Sequence, residues 1–337
     1  MAAKRKTRTV GTTSGERKMV RAAVDHGRDL AAKVIKAREA KRKGRLEAKG
    51  PGNGLLIAEG DSWFDYPFFD TLERLENSFD FEIESVAHKG DTVESMAYDA
   101  NQSASLGRLF DRLGQQNSQP RAILLSGGGN DIAGDEFATM LNHASSGLPP
   151  LNDQVAAGII DLRLKFALVS VISGVTALSR HYFNRVVPIV VHGYGHPIPD
   201  GRGYLGGAWI LPGPWLKPGF TQKGYADLAT NARLVGDLID RFNSMLQTIP
   251  SAPGLGHVTY LDLREVLKSE IGSHKKTWND ELHPTKPGFG AVAAEFAKVI
   301  QTFPRPAFGG PKTLPSTRPS AHKTQPRKRA ATRRGRK

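Results

Sequence analysis

The sequence predicts an α/β protein: a three-layer α/β/α sandwich built on a parallel, five-stranded, flavodoxin-like sheet. Two observations predict it. Five short apolar runs rich in β-branched residues, at 55–58, 81–87, 122–125, 188–192 and 258–263, have the length and continuity of strands buried on both faces. Helical patterns lie between them, at 69–77, 92–113, 153–183, 225–248 and 286–302. Alternation of this kind builds a parallel sheet covered by helices.

Charge sets the outer boundaries. Residues 1–50 hold 16 Lys/Arg against 5 Asp/Glu, and residues 311–337 hold 10 Lys/Arg and no acid. The chain carries +14 in total, so the central segment is acidic at −7. The pI of 9.9 therefore describes the ends. In the first 50 residues, Val20, Val24, Val34 and Ile35 recur at loosely helical spacing among charges, which predicts a charged helix from about 17 to 45. The tail from 306 to 337 has almost nothing apolar to bury and is expected to be disordered. The folded body is expected over 51–305.

Within the body, the first strand runs into Gly60-Asp61-Ser62-Trp63. The second leads to Ala87-His88-Lys89-Gly90-Asp91-Thr92. The third ends in Ser126-Gly127-Gly128-Gly129-Asn130-Asp131. Two insertions follow, at about 134–183 and 193–224; the second is dense in Gly, Pro and aromatics, including Trp209 and Trp215. Both leave the sheet at its carboxyl edge, where ligands of open α/β sheets bind, and are expected to wall the pocket. Before the last helix stands Asp280-Glu281-Leu282-His283-Pro284.

These four blocks, in this order and at strand ends, resemble those of the SGNH hydrolases, also called GDSL esterases and lipases. The resemblance spans roughly residues 53–303. Trp63 departs from the family pattern, which has leucine there. The resemblance implies Ser62 as nucleophile, His283 as its base and Asp280 as the carboxylate that orients the base. It implies an oxyanion hole of the Ser62 and Gly90 backbone N–H groups and the Asn130 side-chain amide. A substrate pocket with Trp63, His192, Tyr194, Trp209 and Trp215 in its walls is expected. The implied reaction is hydrolysis of acyl esters through an acyl-enzyme, with small-molecule, lipid or acylated-carbohydrate substrates. Acyl transfer to an alcohol is the near variant.

Other signals are weighed against these. Asp61 and Asp131 fit turn positions, where their carboxylates accept backbone N–H groups. His192 and His196 are four apart, but the glycines at 193 and 195 disfavour a helix face and no further ligand stands nearby, so no metal site is expected. Residues 201–206 match the dinucleotide pattern in letters, yet Pro212 and Pro214 intrude where a helix should start. No cofactor is expected. The absence of Gly-x-Ser-x-Gly removes the α/β-hydrolase elbow. Without cysteine there is no disulfide or thiolate chemistry. The basic N-terminus lacks the apolar stretch of a signal peptide. The longest apolar run, 166–178, falls short of the roughly 20 residues that span a bilayer. A cytoplasmic or non-classically exported protein is expected. The basic ends suit salt-dependent contact with nucleic acid or anionic membrane, and a tethering protein is the reading from outside enzymology.

Overall fold

The computed structural model describes residues 52–204 and 212–306, with Gly44. The helix expected over 17–45, the tail beyond 306 and Trp209 lie outside the described residues, apart from Gly44.

The chain alternates strand and helix. β1 (Leu55–Gly60) is followed by α1 (Thr71–Phe79), β2 (Glu82–Ser85), α2 (Val93–Tyr98), α3 (Ala100–Gln115) and β3 (Pro120–Ser126). Two short helices come next, α4 (Gly129–Ile132) and α5 (Asp135–Thr139). A long helical run then starts as α6 (Asp153–Ala156), winds as a π-helix over Ala157–Leu164 and continues as α7 (Lys165–Phe183). β4 (Ile189–His192), α8 (Lys217–Gln222), α9 (Leu228–Thr248), β5 (Val258–Leu261) and α10 (Lys286–Thr302) complete the body.

The five strands pair in parallel in the order β2-β1-β3-β4-β5. Every residue of β1, β3 and β4 is buried. Successive side chains point to opposite faces, so both faces of the sheet are covered. On the helical layers, α1 packs with α10, while α2 and α3 pack with α7. The expected α/β class and flavodoxin-like order are those of the structure.

Local chemistry explains where the elements differ from expectation. The helix expected over 92–113 is two helices. Asp99 closes α2 in extended conformation, and its carboxylate caps α3 through the N–H groups of Asn101 and Gln102. The helix expected from 225 starts later, at Leu228, because Asp227 is its N-cap. At the amino end of the sheet Arg121 donates to the carbonyls of Asn53, Gln301 and Phe303, joining the start of the body to its end. Arg305 Nη2 meets Asn53 Oδ1 at 2.8 Å on the same side.

Strand order reverses between β1 and β3, which send their following loops to opposite sides. The crevice at their carboxyl ends is the place where open α/β sheets take a ligand. Ser62 follows β1 there, and Asn130 follows β3.

Candidate active site

The turn carrying Ser62 is built by Asp61. Its Oδ1 accepts the Trp63 N–H at 3.0 Å, as short polar side chains do in turns, and its own N–H donates to the Ser126 carbonyl. The Ser126 hydroxyl bridges Asp61 Oδ1 at 2.7 Å and His192 Nε2 at 2.8 Å, and the Tyr194 hydroxyl donates to Asp61 Oδ2 at 2.5 Å. Burial, then the Asp61 charge, pushes the Tyr194 hydroxyl far above its ordinary value, so it stays a donor. Burial pushes the His192 imidazole down. Ser62 thus rests on a buried polar lattice, with Trp63 stacked on His192.

His283 comes from a turn held by Asp280. Asp280 Oδ1 accepts the backbone N–H groups of Leu282 and His283 at 2.9 and 2.8 Å, and the Asn279 N–H donates to the His283 carbonyl. Thr285 then caps α10. This places His283 Nε2 2.7 Å from Ser62 Oγ and His283 Nδ1 2.8 Å from Asp280 Oδ1. Burial raises the Asp280 carboxyl. The hydrogen bond and charge of His283, with the two backbone donors, outweigh that and hold it below its ordinary value. Asp280 is therefore a carboxylate at neutral pH. It can take the Nδ1 proton bond and leave Nε2 free to accept from Ser62.

Asn130 lies in α4. The turn before it needs glycine at 128, where φ is 111° and a Cβ would lie 2.4 Å from the Phe242 ring. Asn130 Nδ2 donates to the Asp91 carbonyl at 2.8 Å, which leaves the second amide hydrogen for another acceptor. Asp131 accepts the Val93 N–H with both oxygens and so locks α4 to the start of α2. Gly90 stands in the turn after β2 with φ 89° and open space where a Cβ would be. That turn is pinned to the Ser62 loop by His88 N–H to the Gly60 carbonyl and Lys89 N–H to Asp65.

An apolar cavity lies beside Ser62, with Trp63, Asn130 and Tyr194 among its walls. Trp215 places its ring edge-on to His283, with centroids 5.4 Å apart. His192, expected in the pocket wall, does not line this cavity, because its nitrogens are bonded to Ser126 and Gly193. His196 belongs to a separate pair with Asp240.

Three neighbours of Ser62, Asp280 and His283 were given no role by the sequence. Tyr66 donates to Asp280 Oδ2 at 2.9 Å and lies with its ring centroid 4.4 Å from that of His283. Burial and the Asp280 charge raise its hydroxyl, so it too stays a donor. Ser126 is the bridge under Asp61. Glu281, fully buried between Asp280 and His283, accepts four backbone N–H groups, from Gly201, Trp215, Leu216 and Lys217. It ties both described arms of the second insertion to the histidine turn.

No family model matches the chain, and no curated protein matches it. Among solved structures it is similar to a lipolytic protein of the G-D-S-L family from Veillonella parvula. The identity is 13%, over 74% of this chain and 99% of that one, with a TM-score of 0.41. It is also similar to an inhibitor-bound M. smegmatis aryl esterase, at 10% identity over 74% of this chain and all of that one, with a TM-score of 0.44.

Proposed function

We propose that the protein is a serine esterase that hydrolyses acyl esters through an acyl-enzyme. One observation carries the reading: the unbroken line of hydrogen bonds from Ser62 Oγ through both nitrogens of His283 to Asp280, at the switch point of the sheet. A serine hydroxyl alone is a poor nucleophile and needs such a base.

In this mechanism Ser62 Oγ bonds to the ester carbonyl carbon as its proton passes to His283 Nε2. The backbone N–H groups of Ser62 and Gly90 and the second amide hydrogen of Asn130 receive the oxyanion. The bond to the alcohol oxygen breaks, and that oxygen takes the proton from His283. Water then attacks the acyl-enzyme, giving its proton to His283. The acid departs, and Ser62 regains its hydrogen. Asp280 stabilises the imidazolium in both halves, and Tyr66 holds the far oxygen of that carboxylate. These steps use no metal or cofactor.

The test is Ser62→Ala, assayed on p-nitrophenyl acetate, with fluorophosphonate labelling of the wild type. Turnover should fall by about a thousandfold or more, since members of a triad act as a unit. Activity within tenfold of wild type would remove the assignment.

A further inference from the structure

The cavity beside Ser62 has a volume of about 40 Å³. Ser62 and Asn130 are in its wall, and Ile132, Phe137, Leu238 and Ile239 line it too. Those four apolar side chains are buried, so this part of the wall lies in the protein core. We propose that the cavity receives the acyl group of the ester and restricts it to uncharged short chains of about two to four carbons. The proposal rests on the serine-esterase reading above.

Side, size and polarity argue for it. The leaving oxygen takes its proton from His283, so the alcohol lies on the His283 side of the reacting carbon. His283 does not line the cavity, whereas Asn130 does. The acyl group stays bonded to Ser62 after the alcohol departs, so it needs a recess and the alcohol needs an exit. A water fills roughly 10–15 Å³ on the same measure, so the cavity takes about three heavy atoms beyond the carbonyl. Longer chains would have to displace close-packed side chains, and overpacking a core is costly. The cavity is lined mostly by apolar side chains, and the carboxylate at the wall, Asp61, is committed to Trp63, Ser126 and Tyr194, so an uncharged chain suits it best.

The test uses full-length protein and p-nitrophenyl acetate, butyrate, octanoate and laurate. Butyrate should exceed octanoate in kcat/KM by about tenfold or more, the scale on which pockets discriminate methylenes. Phe137→Ala should raise the octanoate-to-butyrate ratio about tenfold. Leu238→Ala serves the same purpose if the first variant does not fold. A ratio within one sample cancels the folded fraction. An octanoate preference in the wild type, or a ratio unmoved in both variants, would overturn the proposal. So would rates that follow the alcohol chain across alkyl butyrates and ignore the acyl chain. Fluorophosphonate labelling of Ser62 separates the two readings. Labelling without acyl-length discrimination overturns this proposal alone, and no labelling with no turnover on any ester overturns both.

Discussion

Glu59, the residue before Gly60-Asp61-Ser62, is buried with Oε1 accepting from Gln102 at 2.8 Å and Oε2 without a partner. Burial, with Asp91 nearby, pushes its carboxyl up to about 8. An unfolded chain releases that proton near pH 4.3, so between roughly 4.5 and 8 the folded protein holds a proton that the unfolded one has lost. Stability then falls as pH rises through this window, and the full loss is reached above the folded value. Glu59→Gln keeps the shape and removes the titration. Its unfolding free energy should match wild type near pH 5 and exceed it by pH 9, by an amount on the order of a few kcal/mol. Parallel curves across that range would mean that Glu59 ionises normally in the fold. At this scale the candidate site was legible where its residues sit in short blocks. Ser62, Asn130, Asp280 and His283 each follow a strand or precede a helix in a recognisable pattern. Tyr66 was not legible, because its partner Asp280 lies 214 residues away and no local spacing reports such a contact.

Among the elements, the central strands β1, β3 and β4 were readable because continuous burial leaves a continuous apolar run. At the edges β2 and β5 are only half buried and showed through β-branched and aromatic residues. Boundaries were less so: Asp99 reads as one more polar helix residue until its carboxylate is seen capping α3. The second insertion was legible only as an outgrowth, since its attachment is made by backbone N–H groups, which every sequence possesses. Glu281 gathers four of them, and burial pushes its carboxyl up although those donors oppose the shift. Glu281→Gln would turn an amide N–H toward backbone donors and leave some of them unpaired. An expected loss of about 2–5 kcal/mol in urea unfolding follows from the cost of unsatisfied buried groups. A loss under about 0.5 kcal/mol, the scale of an ordinary surface change, would show that other contacts hold the insertion.

For the whole molecule, the residues proposed for catalysis fall between 62 and 283, while most of the positive charge falls outside the body. A chain lacking 1–50 and 311–337 loses a formal +21. It should keep its turnover on p-nitrophenyl acetate and lose the salt-sensitive retention on heparin that the full chain is expected to show. Tight heparin binding by a well-folded truncated form would place the anion-attracting surface on the body itself. Among the described residues no helix is long and apolar enough to cross a membrane.

Arg121 gathers Asn53, Gln301 and Phe303 at the amino end of the sheet. Ser62 lies beyond the opposite end of β1, about 20 Å away along six residues of strand. Whatever is grafted onto either end of the body therefore departs from the pole facing away from the crevice that holds Ser62. The protein anchored to a bead through one end would present that crevice to the bulk solution. The two ends are also near enough for a short peptide to bridge them, so a circularly permuted body could be opened at a loop remote from Ser62 and His283.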